Sequence, residues 1–132
     1  MPHIVIQLSG PRDTDLGREA VDVVNRLTEE ILGKLPAVMA TTVQYIPDED
    51  WFIGGRPLAE LGGSAFHLDI SITDETNTKA EKAHFIKEVF LALGNLRPGL
   101  HETSYVHLID ARAAAYGYGG RTQEWRHQQT GV

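Results

Sequence analysis

The sequence predicts an α+β domain in which two consecutive β-α-β units form one four-stranded mixed sheet with two helices on one face. Three observations lead to this prediction. The order strand, helix, strand occurs twice along the 132 residues. Crossovers within one sheet are right-handed and make the joined strands parallel. The length suits a single domain with one core. We place the first unit at 2–47, a connector at 48–65, the second unit at 66–110 and a C-terminal tail at 111–132.

The first unit begins with an apolar strand at 3–8. A helix follows, because apolar residues recur with a helical period at Leu16, Ala20, Val23, Leu27 and Ile31. Asp13 or Thr14 supplies an N-cap, and Gly33 suits the left-handed position that ends a helix. A second strand at 41–46 completes the unit.

The second unit repeats this order. A strand at 66–72 alternates apolar and polar residues, as expected for a sheet with two unlike faces. Thr78 and Glu81 have the spacing of a capping box. The helix that they begin has an apolar stripe formed by Ala83, Ile86, Val89, Phe90 and Leu93. Gly94 is expected to end this helix, and a last strand covers 104–110.

One face of the predicted sheet has no helix on it. That face still carries apolar residues, so association with other copies is the expected way to bury it. The tail contains the glycine-rich run 117–121, and the sequence predicts no helix after it. We therefore expect a flexible tail that packs on a neighbouring subunit.

Composition excludes several classes of function. With 42% hydrophobic and 23% charged residues the chain is expected to be globular, and a net charge of −6 argues against a nucleic-acid partner. No apolar run reaches the roughly 18 residues of a membrane helix. The absence of cysteine removes disulfide and thiolate chemistry, and the histidines lack the spacing of a metal site. We expect a cytoplasmic protein without metal or cofactor.

Met1-Pro2 is the feature with the most specific chemistry. If Met1 is removed, Pro2 has a free secondary amine on a rigid ring, directly before a strand that enters the core. Taken alone, Pro2 is also explained as a small second residue that merely permits removal of Met1. The rest of the sequence decides between these interpretations.

Three parts of the chain resemble the tautomerase superfamily, whose members use an amino-terminal proline as catalytic base. Met1-Pro2, with a strand that leads to Gly10-Pro11-Arg12, resembles the start of 4-oxalocrotonate tautomerase. Segment 43–55 is similar to the second strand and the aromatic-Ile-Gly-Gly segment of that family. Segments 105–110 and 113–118 resemble the last strand and tail of macrophage migration inhibitory factor.

The resemblance implies a homotrimer with sites at subunit interfaces and catalysis by Pro2. It also implies which residues bind a small carboxylic-acid substrate: Arg12, Lys34, Trp51, Phe52, Tyr105 and His107. Two positions depart from the pattern. Gln44 replaces an arginine that binds the far carboxylate of a diacid in 4-oxalocrotonate tautomerase, which argues against a diacid. His107 replaces an asparagine of the inhibitory-factor branch.

Each implied substrate contact also has a structural interpretation. Arg12 is explained as a solvated charge in a turn, and Lys34 as a cation that complements a helix C-terminus. The aromatic pair 51–52 is explained as a core plug or an oligomer contact. Tyr105 is explained as a core residue and His107 as a subunit contact.

The favoured hypothesis is a cofactor-free isomerase that interconverts keto and enol forms of a small unsaturated 2-oxo or 2-hydroxy acid. A general base needs a pKa near the working pH, and apolar surroundings or a nearby cation lower the pKa of an amine such as that of Pro2. A second hypothesis is hydration or dehalogenation of such an acid, with Glu49, Asp50 or Glu124 activating water. A third is an interaction protein with a vestigial site.

Overall fold

The sequence elements are arranged around one mixed sheet, as seen in a computed structural model that describes residues 2–129. The strands are β1 (His3–Ser9), β2 (Ala40–Ile46), β3 (Phe52–Ile53), β4 (Arg56–Pro57), β5 (Phe66–Thr73), β6 (Tyr105–Ala111), β7 (Gly117–Tyr118) and β8 (Arg121–Thr122). The helices are α1 (Thr14–Leu32), α2 (Leu58–Leu61), α3 (Lys79–Leu96) and α4 (Gln123–Gln129). Met1, whose removal the sequence hypothesis requires, and the last residues of the tail, 130–132, lie outside the described residues.

The main sheet has the strand order β2-β1-β5-β6. β1 is parallel to β2 and β5 is parallel to β6, whereas the central pair, β1 and β5, is antiparallel. His3 lies opposite Ala40 on one side and Ser71 on the other. The two β-α-β units are therefore joined edge to edge, and the predicted fold class, a four-stranded mixed sheet with two helices on one face, is confirmed.

The core lies between the sheet and the two long helices. β1 contributes Ile4, Ile6 and Leu8, and β5 contributes alternate residues from Phe66 to Ile72. In α3 the buried residues are Phe85, Val89 and Leu93, spaced four apart. The predicted stripe was partly wrong: Ala83 is exposed and Ile86 is 40% exposed. Both lie off the row that faces the sheet.

The helix ends agree with the sequence except at one glycine. Asp13 caps α1 by accepting from the Leu16 N–H at 3.1 Å. Gly33 ends that helix with φ of 69°. Thr78 and Glu81 form the predicted capping box at the start of α3. Gly94 does not end α3, which continues to Leu96 because that leucine still packs against the core.

The tail differs from the prediction, because it is ordered into a hairpin and a helix. β7 and β8 pair across Gly119 and Gly120, whose φ values of 61° and 76° suit a two-residue hairpin turn. Helix α4 follows at once, and the Thr122 hydroxyl accepts from the Trp125 N–H at 3.0 Å. None of the helices within residues 2–129 combines the length and the apolar character needed to cross a membrane.

Candidate active site

The sheet has two ends, and they carry different chemistry. The Pro2 end is where β1 and β2 begin and where β5 and β6 finish; it contains Pro2 and Thr73. The Arg12 end is where β1 and β2 finish and β5 and β6 begin; it contains Arg12 and Tyr105. β1 alone spans roughly 20 Å at about 3.3 Å per residue. Side chains at the two ends of one chain therefore lie far apart.

Pro2 is buried, and its carbonyl accepts from the Ala40 N–H at 3.4 Å. That bond holds Pro2 beside the first residue of β2. While Met1 is attached the proline nitrogen is an amide without basicity. After removal of Met1 it would be a secondary amine in a buried position, where its charged form is disfavoured.

Lys34 lies at the same end of the sheet as Pro2. Since β1 and β2 are parallel, α1 returns the chain to the end where β1 began, and Gly33 ends the helix there. The Lys34 Nζ donates to the Thr76 hydroxyl at 2.8 Å, and that hydroxyl donates to the Thr73 carbonyl at 2.6 Å. An ammonium group has three donors, so this bond leaves two for other partners.

Partial burial gives Lys34 an altered acidity. Desolvation lowers the pKa of its ammonium below the ordinary lysine value, whereas the nearby Glu81 carboxylate acts in the opposite direction. Hydrogen bonds from the Thr78 backbone and the Asn77 amide lower the pKa of Glu81, which remains ionised. The Lys34 cation is thus partly removed from water and placed where a small anion would be strongly attracted.

A cavity of about 390 Å³ adjoins Lys34. We call it the tail pocket, because half of its wall comes from the C-terminal tail. Its lining residues are Gly33, Lys34, Leu35, Val38, Tyr118, Gln123, Arg126 and His127. Val38 stands two residues before β2, which begins beside Pro2, so the pocket lies at the Pro2 end.

Sequence reasoning missed the four tail residues of this pocket: Tyr118, Gln123, Arg126 and His127. Their helix is short and lacks an apolar stripe, so periodicity gave no indication of it. Two local signals were present. Gly119-Gly120 is a strong hairpin turn, and Thr122 is a favoured N-cap residue just before α4.

Polar contacts attach the tail to the sheet. The hydroxyls of Tyr116 and Thr73 are 2.6 Å apart, at the end of β5. Burial raises the pKa of the Tyr116 hydroxyl, while hydrogen bonds with Thr73 and Gln123 limit the rise. The Gln123 N–H also donates to the Tyr116 carbonyl at 3.0 Å. These bonds fix α4 beside the pocket.

The Arg12 end collects the predicted aromatic residues. Trp51 is buried and its ring centroid is 4.6 Å from that of His67, which in turn lies 5.8 Å from the Tyr105 ring. Phe52 and Tyr105 are 59% and 62% exposed. Burial lowers the pKa of His67, and Asp69 opposes this. Large exposed aromatic rings next to a buried tryptophan indicate a surface suited to contact another molecule.

Arg12 is exposed beside a separate groove of about 360 Å³ between α1 and the edge strand β2. The Tyr45 hydroxyl, also in this groove, donates to the Asp13 carbonyl at 2.9 Å. The acidic turn Asp48–Asp50 follows β2 and so belongs to this end as well. Neither Glu49 nor Asp50 lies near Pro2 of the same chain.

The helix-free face of the sheet is a mixture of polar and apolar side chains. One row crosses all four strands through Gln44, Gln7, His67 and Tyr105, and the Gln7 amide donates to Gln44 at 2.9 Å. In the next row the His107 Nδ1 lies 3.8 Å from Asp69 Oδ1. His107 is thus on the open face, with Tyr105 and apart from Pro2.

The structure therefore brings Pro2 and Lys34 to one end of the sheet. It places Arg12, Trp51, Phe52 and Tyr105 at the other end, with His107 two residues farther along β6. Within one chain the predicted substrate contacts do not form a single pocket.

Solved structures with the same fold include three informative ones. Pt0534 inactivated by 2-oxo-3-pentynoate has a TM-score of 0.80 and 13% identity, covering 94% of this chain and 98% of that chain. Native fused 4-OT has a TM-score of 0.76 and 17% identity, covering 93% and 97%. A macrophage migration inhibitory factor-like protein from Entamoeba histolytica has a TM-score of 0.72 and 18% identity, covering 92% and 97%.

Neither a family model nor a characterised protein sequence matches the chain. The structural matches extend over almost the whole of both chains, and another of them is a fused 4-OT asymmetric trimer. The fold that the sequence resemblance implies is thus confirmed.

Proposed function

We propose that the protein is a cofactor-free keto–enol tautomerase of a small unsaturated 2-oxo or 2-hydroxy acid, with Pro2 as general base after Met1 is removed. The observation that carries the proposal is the arrangement of the Pro2 end. A buried proline at the start of β1 lies at the same end of the sheet as the desolvated Lys34 ammonium and the tail pocket. Both burial and a neighbouring cation would lower the pKa of the Pro2 amine toward neutrality.

The reaction needs one proton to move between oxygen and carbon. The Pro2 nitrogen accepts the hydroxyl proton of the 2-hydroxy-dienoate, and the electron pair of that O–H bond stays on the oxygen, which gives an enolate. The same nitrogen, now protonated, returns the proton to a carbon of the conjugated chain: the C=C π pair forms the new C–H bond while an oxygen pair forms the carbonyl, so no atom is gained or lost. The Lys34 ammonium stabilises the enolate oxygen between these steps.

In the proposed site, the aromatic residues come from a second subunit. Several structural neighbours are trimers of fused 4-OT. In a homotrimer of this chain, Arg12, Trp51, Phe52, Tyr105 and His107 would meet Pro2 only as residues of an adjacent copy. The exposure of Phe52 and Tyr105 supports such a contact.

A hydratase or dehalogenase is less well supported. That chemistry needs a carboxylate to activate water beside Pro2, but none of the residues that line the tail pocket is acidic. Asp48–Asp50 lies at the Arg12 end and would reach Pro2 only from an adjacent copy. Glu124 is on α4, where its backbone N–H bonds to the Ala113 carbonyl and its side chain is exposed.

The kinetic test compares two N-terminal variants. Pro2→Ala should lower ketonisation of phenylenolpyruvate by about 100- to 10,000-fold, the usual contribution of a positioned general base. Inserting one alanine between Met1 and Pro2 keeps the proline ring but acylates its nitrogen, and should cost as much. Pro98→Ala, in an exposed loop, is the matched control and should retain full activity. Wild-type rates in the insertion variant would rule out Pro2 as the base.

Covalent labelling gives an independent test. 2-Oxo-3-pentynoate, the inactivator in the Pt0534 structure, has a triple bond conjugated to a ketone. A free Pro2 amine should add to that bond, forming one C–N bond and transferring its proton to the adjacent carbon. We expect a single adduct that peptide mapping assigns to Pro2. An unlabelled N-terminal peptide that still begins with Met1 would contradict the proposal.

A further inference from the structure

Two cations from different elements line the tail pocket. Lys34 comes from the end of α1, and Arg126 comes from α4. None of the eight lining residues is acidic. The carboxylate that acts on Lys34, that of Glu81, belongs to the start of α3 and is not part of the wall. The remaining titratable groups of the wall are the Tyr118 hydroxyl and the His127 imidazole.

Arg126 is held in place by the hairpin. Its guanidinium carbon lies 3.8 Å from the centroid of the Tyr118 ring, and its Nη2 donates to the Tyr118 carbonyl at 2.9 Å. An arginine stacked on an aromatic ring is fixed in orientation before a ligand arrives, so less side-chain freedom is lost on binding. The guanidinium has five N–H donors, and the Tyr118 carbonyl takes one Nη2 donor.

Two buried polar atoms of this pocket lack hydrogen-bond partners. They are the Nε of Arg126 and the Oε1 of Gln123, neither of which has a partner within residues 2–129. A buried donor without a partner is unfavourable, and such groups often mark a place that a ligand or water completes. Here both atoms belong to residues that line one cavity together with a further cation.

We infer that Arg126 is a carboxylate-binding residue and that the tail pocket holds the carboxylate end of the substrate at the Pro2 end of the same chain. This inference rests on the proposed function. Arg126 offers the planar donor geometry that matches a carboxylate, and Lys34 supplies a point charge for the adjoining 2-oxo oxygen. Leu35 and Val38 give the cavity an apolar side. The chemical class is a monocarboxylic 2-oxo acid with a short apolar body.

The test measures binding rather than turnover. Phenylpyruvate and its methyl ester are titrated by calorimetry into wild-type protein, Arg126→Gln and Arg121→Gln. Arg121 is the matched control, because its guanidinium stacks on Trp125 at 4.0 Å but does not line the pocket. Arg126→Gln should weaken phenylpyruvate about tenfold or more, as expected for loss of a charge-assisted hydrogen bond. It should leave the ester within about twofold, and Arg121→Gln should change neither ligand.

Four results would overturn the inference. If Arg126→Gln weakens acid and ester equally, the arginine only maintains the hairpin. If it weakens neither, or if Arg121→Gln has the same effect, the carboxylate is bound elsewhere. If inorganic phosphate displaces phenylpyruvate at equal or lower concentration, the pocket is a phosphate site. Pro2→Ala separates this inference from the proposed function, since it should abolish turnover and preserve the preference for acid over ester.

Discussion

The two ends of the sheet differ in what they contain and in how complete they are. At the Pro2 end, Pro2 is buried, Lys34 is partly desolvated, and the C-terminal tail forms half of a pocket wall. At the Arg12 end, Phe52 and Tyr105 are more than half exposed. The difference means that one chain supplies both the proposed base and its cation. In the proposed mechanism, the aromatic wall of the site is completed by the Arg12 end of a second chain.

After the loss of Pro2 itself, removing the Lys34 cation of the Pro2 end should have the largest effect. Lys34→Gln is expected to lower kcat/KM for phenylenolpyruvate by about 10- to 100-fold, because a hydrogen bond to a charged group contributes about 1.5–3 kcal/mol. Lys79→Gln is the control, since Lys79 is exposed at the start of α3. If the two variants have equal activity, Lys34 is not part of the site.

The lowered pKa of Lys34 predicts a change in the pH dependence of activity. Burial lowers its pKa, so the ammonium loses its proton at a lower pH than an ordinary lysine would. The kcat/KM should therefore fall on the alkaline side before the usual lysine range is reached. Lys34→Arg, whose guanidinium stays charged, should move that fall to higher pH. A pH–rate profile of both proteins measures this, and coincident alkaline limbs would contradict it.

A smaller effect concerns the packing of the Arg12 end. Gly17 in α1 faces the Tyr45 hydroxyl, which a Cβ would displace from Asp13. Gly17→Ala should lower the free energy of unfolding by about 1 kcal/mol, since overpacking outweighs the gain in helix propensity. Gly94→Ala in α3 is the matched control. The nearest atom to its Cβ, on Leu100, is 3.5 Å away, so this variant should gain about 0.5–1 kcal/mol.

Urea denaturation of both variants measures the difference. A destabilised Gly94→Ala, or an unchanged Gly17→Ala, would show that the contact between α1 and β2 is not as tight as described.

The fold followed from sequence because its signals are local. The doubled order of strands and helices, the Gly33 cap and the Thr78–Glu81 capping box depend on residues close in the chain. The sequence did not decide which apolar residues of α3 face the sheet. The predicted stripe included Ile86, which is 40% exposed, whereas the structure buries Phe85. Two adjacent rows of apolar residues on one helix look alike in sequence, and only tertiary packing decides which row is buried.

The site could be predicted only in part. Pro2 and Lys34 were predicted as site residues, and the structure has both at one end of the sheet. Their distance from Arg12 and Tyr105 follows from the direction and register of the strands. No single sequence motif specifies that direction or register. Arg126 was missed because its helix has seven residues and no apolar stripe. The position of Arg126 depends on the hairpin. Gly119-Gly120 is a turn signal in the sequence, but nothing in the sequence indicates that the hairpin lies beside Lys34.

Mixed oligomers test the central claim most directly, namely that each site joins the Pro2 end of one subunit to the Arg12 end of another. Pro2→Ala and Tyr105→Ala chains, each of low activity alone, are coexpressed with different tags and purified as mixed assemblies. These should recover activity, because some sites combine an intact Pro2 with an intact Tyr105. Mixtures of Pro2→Ala and Lys34→Gln should show no more than the average activity of the two variants, because the two residues always belong to the same site. No recovery in the first mixture, or equal recovery in both, would contradict the account.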